Sequence, residues 1–306
     1  MNIKHLEYFI TLAKEKSFSK ASELLGITQP TLTQTVQKLE SVLGSPLFDR
    51  SFPSLTLTPE GRVLLDSARK ITDLWAQTCS QITELNHGIT GSVKIGVAPF
   101  RASYTVPSLA ADFRQHFPET RLFIRELRTD EMLDALDAGE IDLAVTACDK
   151  KNVSKYEAFP VFDEEVLVAV AGRLIEDDPR FPDEGELPTV DFSAFDGMDF
   201  IVLGSEQLLF RHYKTLCERS GCAFRAPTSC TSIETSLTLA NAGAGAALVL
   251  STGIEYYRDR FPRLRYFSVR PSLPGRTVYA LTRKNQYLST PAKYLLKQLE
   301  KTEVQK

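Results

Sequence analysis

Long apolar runs are the first thing this 306-residue chain does without: no stretch approaches the ~18 to 20 apolar residues that a membrane span requires. Its N-terminus, MNIKHLEYFITLAKEKSFSK, interrupts the apolar positions with Glu7 and Lys14 and so does not read as a signal peptide; a cytoplasmic protein is expected. Cysteine is scarce and odd in number. The five, Cys79, Cys148, Cys217, Cys222 and Cys230, contain no CxxC and no paired Cys/His spacing, which argues against a structural zinc site or a secreted disulfide framework. The four histidines, His5, His87, His116 and His212, are scattered, and GKS/T, HExxH and GxSxG are all missing. The run Ala242-Gly243-Ala244-Gly245-Ala246 fails as a phosphate cradle because it leads from a helix into a strand, the reverse of a dinucleotide fingerprint; Gly243 fits a helix C-cap instead. Neither an enzyme nor a cofactor is expected. Charge of one sign is lacking too: 36 Lys and Arg stand against 39 Asp and Glu, so the totals do not announce a nucleic-acid binder.

What is present is ordinary globular composition, 43% hydrophobic and 25% charged, in a length that suits two or three domains. Near the N-terminus Leu6, Phe9, Ile10 and Ala13 recur at helical spacing. Ser19 is a candidate N-cap for a second helix that carries Ala21, Leu24 and Leu25 and stops at Gly26. Thr28 caps a third helix with Pro30 in its first turn, where backbone N–H groups have no intrahelical partner to lose. Leu32, Val36 and Leu39 make one face of that helix; Gln29, Thr31, Thr33, Gln34, Gln37 and Lys38 make the other. Residues 47–50 and 55–57 read as a small hairpin around the turn Ser51-Phe52-Pro53-Ser54.

From Pro59 to about His87 a single long helix is expected. Leu64, Ala68, Ile71, Trp75, Thr78, Ile82 and Leu85 step by four and three residues, an a/d seam that another helix has to cover. Self-association is the favoured reading, because the helix lies between two domains and ends at the linker Gly88-Ile89-Thr90-Gly91; a helix lying on its own domain is the alternative. Beyond it, strands at 93–97, 122–127 and 141–146 alternate with helices and predict a parallel sheet covered by helices. A second set follows at 166–171, 200–203 and 246–250, with helices at 208–220 and 232–241, and the tail returns with a strand at 277–281 and a closing helix from Pro291. Residues 175–199, rich in proline and acid, read as a surface excursion. The fold class is α/β, α+β overall.

Two helices joined by a glycine turn and followed by a two-stranded wing make a DNA reader, in which the second helix enters the major groove by its N-terminal residues. Those residues are small and polar, and Gln29 and Gln34 can offer a paired donor and acceptor to an adenine edge. The pattern Ala21-x-x-Leu24, Gln29-Pro30-Thr31-Leu32-Thr33, Leu39-Glu40, Leu43-Gly44, Leu47-Phe48-Asp49-Arg50 and Leu57-Thr58-Pro59-Glu60-Gly61 resembles the winged helix-turn-helix of the LysR-type transcriptional regulators, and the long helix and α/β region match that family's plan. The resemblance implies a DNA-binding domain at 1–58, a linker and dimerisation helix at 59–88, and an effector domain at 91–306 similar to periplasmic binding proteins, with lobe 1 at about 91–165 and 265–306 and lobe 2 at about 166–264. It further implies operator DNA bound by a dimer of dimers, a homotetramer, with a small-molecule effector and RNA polymerase as other partners. On this basis Thr28, Gln29, Pro30, Thr31, Thr33, Gln34, Lys38 and Arg50 are the candidate DNA contacts. Two departures stand out: Gln34 replaces a basic residue common in the family, and Phe52-Pro53 replaces a basic wing tip. Residues 1–58 carry Lys4, Lys14, Lys16, Lys20, Lys38 and Arg50 against Glu7, Glu15, Glu23, Glu40 and Asp49, a net charge of only +1. Phosphate attraction per subunit is therefore modest.

Ligands of open sheets bind beyond the carboxyl ends of strands. Three such loops, at 98–104, 128–129 and 204–207, match the effector-contacting loops of the family, which makes Phe100, Arg101, Ser103, Thr129, Ser205 and Glu206 the candidate effector site. Arg101 would pair an anionic effector, with the hydroxyls as donors; the alternative is Arg101 in solvent and an apolar pocket of Phe100 and Tyr104. Some family members sense peroxide with two thiols nine residues apart. Cys217 matches the second, but Leu208 holds the first position, and buried structural cysteine is the expectation. The rival from another class is a small-molecule-binding protein or enzyme whose N-terminal segment serves only assembly.

Overall fold

The computed structural model describes residues 2–49, 55–87, 91–148, 150–182, 185, 187–205 and 207–301. The N-terminal unit is three short helices on one core. Asn2 accepts from the His5 N–H to open α1 (Ile3–Glu15), which buries Leu6, Phe9 and Leu12. Helix α2 (Phe18–Leu25) is capped by Ser17, which accepts from the Lys20 N–H. The cap expected at Ser19 thus lies two residues earlier, and Ser19 stands on the exposed surface of the helix. Gly26, at φ 64°, ends α2 in the left-handed conformation that glycine adopts without a Cβ clash. Thr28 caps α3 (Gln29–Leu43), and Leu32, Val36 and Leu39 turn inward as their spacing requires, joined by Thr35. The wing consists of β1 (Phe48–Asp49) paired antiparallel with β2 (Thr56–Leu57). Its turn, and Arg50 with it, lies outside the described residues.

Helix α4 (Pro59–His87) runs on from the wing, and no helix among the described residues is long and apolar enough to cross a membrane. At its start Gly61 meets the wing strand so closely that a Cβ would stand 2.1 Å from the Leu47 carbonyl oxygen.

Lobe 1 is built from β3 (Gly91–Val97), α5 (Pro99–His116), β4 (Thr120–Glu126), α6 (Thr129–Asp137), β5 (Leu143–Ala147), α7 (Lys150–Val153) and β6 (Tyr156–Glu164), completed late in the chain by β13 (Arg276–Arg283) and α11 (Thr290–Lys301). Its sheet runs β4-β3-β5-β13-β6. Strands β3, β4 and β5 are parallel as expected, but β13 runs antiparallel to both β5 and β6, so the sheet is mixed. The reason is topological: the chain leaves for lobe 2 and comes back in the opposite sense. Strand β6 escaped the sequence reading because Pro160 interrupts it, yet as an edge strand it tolerates a proline.

Lobe 2 holds β7 (Val166–Ala171), β8 (Thr189–Asp191), β9 (Phe200–Leu203), α8 (Leu208–Ser220), β10 (Thr228–Cys230), α9 (Ile233–Asn241), β11 (Ala246–Leu250), α10 (Ile254–Arg260) and β12 (Leu264–Arg270), in the sheet order β10-β9-β11-β7-β12-β8. Strand β12 pairs with β7 and β8, so the return to lobe 1 falls at 271–275 and not at the expected 265. Nor is 175–199 a mere surface excursion. Phe181, Phe192 and Phe195 from that segment are buried and edge-packed on Phe267 and Phe200, and β8 extends the sheet. No period betrays them, because Phe181 enters from a loop and Phe192 and Phe195 from a single short 3-10 turn.

Candidate functional site

The exposed end of α3 carries Gln29, Pro30 and Thr31, with no acidic residue in the first turn, so the positive end of the helix dipole is unopposed there. The Thr28 and Thr31 hydroxyls hydrogen-bond each other at 2.8 Å, and the Ser19 hydroxyl of α2 donates to Gln29 Oε1 at 3.4 Å, holding that amide at the helix mouth. Thr33 is half-buried and donates back to the Gln29 carbonyl at 3.0 Å, whereas Gln34 and Lys38 are exposed. Except for Arg50, every expected DNA contact is therefore on or beside one face of α3.

The α4 seam divides in two. Ala68 is fully buried and Leu64 half-buried against the core of the N-terminal unit itself, so these two are covered within the subunit. From Ile71 onward the apolar positions open to solvent: Ile71, Trp75 and Ile82 are exposed, as is Leu74, which the seam did not include. Thr78 is half-buried and its hydroxyl donates to the Leu74 carbonyl; the side chain of Leu85 lies outside the described residues.

Between the lobes, the first turn of α5 sits at the carboxyl end of β3. Phe100 and Ser103 are half-buried there. Arg101 corrects the expectation of a free cation: it is 1% exposed, and its guanidinium donates to Glu164 Oε2 at 2.7 Å while packing over the Phe100 and Phe162 rings. Its Nε has no hydrogen-bond partner among the described residues. Arg276, first residue of β13, holds the other carboxylate oxygen of Glu164, and the Thr252 hydroxyl donates to Oε2 at 3.2 Å. Thr252 also hydrogen-bonds the Tyr104 hydroxyl at 2.9 Å, so lobe 2 meets lobe 1 through one side chain shared by two partners. Burial pushes the Tyr104 phenol up and the Arg276 guanidinium down, the latter opposed by Glu164. Tyr104 packs further against Tyr256 and Tyr257 of α10. Elsewhere along the cleft, Thr129 at the start of α6 hydrogen-bonds the buried Thr146 hydroxyl at 2.9 Å; Ser205 is exposed beyond β9, and Glu206 lies outside the described residues.

Sequence reading missed Glu164, Thr252, Arg276 and Thr146. One signal was available for Glu164: an acidic stretch, Asp163-Glu164-Glu165, separates two apolar runs and marks the point where the chain changes sheets. The cysteines are free thiols. Cys217 is buried, and burial raises its pKa, as it does that of Cys222.

Residues 3–62 match the family described as bacterial regulatory helix-turn-helix protein, lysR family, and residues 86–303 match the LysR substrate binding domain. The HTH-type transcriptional regulator YcgK of Bacillus subtilis is 31% identical over 303 residues, which is 95% of this chain and 92% of that one. The DNA-binding transcriptional dual regulator OxyR of Escherichia coli is 27% identical over 278 residues, 91% of this chain and 88% of that one. Among solved structures, a full-length OxyR variant from Pseudomonas aeruginosa superposes with a TM-score of 0.69 at 24% identity, over 99% of this chain and 94% of its own, a likeness of fold.

Proposed function

The chain belongs to the LysR family of bacterial transcriptional regulators, and from that membership we propose how its own residues divide the work. It is a DNA-binding transcription regulator with an effector-binding domain, not an enzyme, and such regulators bind DNA as oligomers. In this reading, Thr28, Gln29, Pro30, Thr31, Thr33, Gln34 and Lys38 face operator DNA in the cytoplasm, with Arg50 of the wing on phosphate. Residues 1–58 act as the DNA-binding domain, 59–88 as the linker helix, and 91–306 as the effector domain. The linker pairs with a second copy through Ile71, Leu74, Trp75, Thr78 and Ile82.

The effector is a small anion held between the lobes beside Phe100, Ser103, Thr129, Ser205 and Glu206. One observation supports that chemistry. Arg101 and Arg276 share the single carboxylate of Glu164, so among the described residues the trio carries one net positive charge, and the Arg276 side chain is the more exposed of the two, 25% against 2%. A guanidinium presents paired donors to a planar carboxylate, so the remaining face of Arg276 suits an acid better than a neutral ligand. Thiol sensing at Cys217 is disfavoured, because the reactive species is the thiolate and burial pushes that thiol's pKa up. The test is a thermal-shift panel of small mono- and dicarboxylates beside their neutral amides. Stabilisation by an acid and not by its amide supports the assignment; stabilisation by neutral ligands alone ends the anionic reading and leaves the regulator standing.

A further inference from the structure

Helix α4 has two unlike sides. Ile71, Leu74, Trp75 and Ile82 lie on one. Asp73 and Gln77 lie about 200° and 240° round the axis from Ile71, at ~100° per residue, on the opposite side. That opposite side grips lobe 1. The Arg283 guanidinium donates to Asp73 Oδ2 at 2.7 Å and to the Leu136 carbonyl at the end of α6 at 2.5 Å. Gln77 donates to the same Asp73 oxygen at 2.6 Å, and its own Oε1 accepts the Tyr287 N–H at 3.2 Å. Both members of the ion pair are largely withdrawn from water, with side-chain exposures of 17% and 21%. Gly139 closes the clasp: a Cβ there would stand 2.7 Å from Asp73 Oδ1, and its φ of 71° already calls for glycine.

Arg283 is the last residue of β13, and Arg276 is the first. The same strand therefore ends on the hinge carboxylate Glu164 at one side and on the linker helix at the other. Seven residue steps of ~3.4 Å separate the two arginines by about 24 Å. Between them β13 is hydrogen-bonded on both flanks, to β5 and β6, with Val278, Ala280 and Leu281 fully buried. A strand so held moves as one piece.

We propose that β13 is the mechanical link between the inter-lobe hinge and the DNA-binding unit, with Arg276 and Arg283 as positioning residues at its two ends. Any shift of lobe 2 that changes the Arg276–Glu164 pair displaces the strand, and the Asp73–Arg283 clasp carries that displacement to α4 and the winged unit packed on it. The link goes beyond the effector assignment and does not need it, because it is testable with no ligand present. Coupling of this kind is a free energy between two sites, and sites ~24 Å apart with no shared partner otherwise behave additively.

The experiment is a double-mutant cycle in the full-length protein, read as affinity for a duplex selected in vitro from random DNA. The variants are Arg276→Gln, Arg283→Gln and the two combined. Arg276→Gln alone should shift operator affinity about fivefold or more, and in the Arg283→Gln background the same substitution should do nothing. Independent, multiplying effects would overturn the proposal, as would an Arg276→Gln variant with unchanged affinity. Hydrogen exchange of α4 guards against mere misfolding. Amides 73–81 should lose protection in Arg283→Gln and regain it in the charge swap Asp73→Arg/Arg283→Asp; a swap no better protected than the single variant refutes the clasp.

Discussion

Glu164→Ala is the perturbation that most directly weighs the hinge. The Glu164 side chain is fully buried and is the shared counter-ion of Arg101, whose side chain is 2% exposed, and of Arg276. Removing one partner of a buried ion pair leaves an uncompensated charge and costs about 3–5 kcal/mol. Here two guanidiniums lose the same counter-ion, and the Thr252 hydroxyl loses an acceptor. The upper part of that range is therefore expected. In a domain of some 150–250 residues each kcal/mol moves the melting temperature by about 2–4 °C, so the loss should be roughly 8–20 °C. Calorimetry of the full-length protein measures it, with urea midpoints as the check on ΔG. The companion variant Arg101→Met/Glu164→Leu/Arg276→Met removes every charge at once and should recover much of the loss, because an apolar replacement of a buried network is often neutral or better. A Glu164→Ala variant within 1 kcal/mol of wild type would refute the reasoning. So would an Arg101→Ala variant that lost anion affinity at undiminished stability, since that would make Arg101 a free ligand clamp after all.

Three further outcomes are expected. Gln29→Ala should cost about 1–3 kcal/mol of discrimination at one base pair per half-site while leaving non-specific binding intact, read by competition gel shifts; equal loss of both would remove direct readout from Gln29. Ile71→Glu/Trp75→Glu places charges on the uncovered side of α4 and should split the dimer in sedimentation experiments, with operator affinity falling alongside; an intact dimer would put the interface elsewhere. Glu140 is held below its ordinary pKa first by the hydrogen bond from Arg125, at 2.8 Å, against a smaller burial effect. Its stabilisation is thus present above the unfolded carboxylate pKa and lost as pH falls through the depressed folded value. Both partners are 39% exposed, so Glu140→Gln should cost under about 1 kcal/mol at pH 7, and the difference in urea midpoint from wild type should shrink as the pH falls below the ordinary carboxylate range.

Local chemistry was legible in the sequence; long-range pairing was not. Thr28, Pro30, Gly26 and the Leu32–Val36–Leu39 stripe each act within a turn or two, so the reader helix and its exposed polar side could be derived residue by residue. The apolar strands 166–171 and 246–250 announce themselves because they are buried on both faces, and 93–97 does so with only Lys94 exposed. Strand β8 has three residues and β6 carries a proline, and neither offers an alternation to find. The seam of α4 shows what periodicity leaves open: it says that a side must be covered, not by what. Leu64 and Ala68 find cover in their own subunit, and the residues beyond Ile71 do not.

Arg101 shows why a cation at a strand end is ambiguous until its surroundings are known. Exposed, it would be a ligand clamp; buried, it needs a counter-charge inside the fold, and that charge comes from Glu164, 63 residues away. Arg101, Glu164 and Arg276 all belong to lobe 1, so the ionic part of the network stays paired however the lobes are set and feels lobe 2 through the Thr252 hydroxyl on Glu164. Among the described residues the bonds that cross between lobes are weaker: Thr252 to Glu164, Thr252 to Tyr104, the Glu165 N–H to the Ser251 hydroxyl at 2.9 Å, and the Ser251 N–H to the Glu165 carbonyl at 2.9 Å. Neutral hydrogen bonds contribute about 0.5–1.5 kcal/mol each and one to a carboxylate about 1.5–3. The crossing set is thus worth roughly 3–7.5 kcal/mol before the aromatic contacts of Tyr104 are counted. A ligand can shift an equilibrium only by its difference in affinity for the two states, and couplings of 1–3 kcal/mol are typical of allosteric proteins. Losing one or two of the crossing bonds falls within that reach, whereas disrupting the buried triad does not. The hinge thereby keeps its charges paired, leaves the setting of the lobes to contacts that a small effector can outweigh, and passes a change at Thr252 to Glu164 and the Arg276 end of β13.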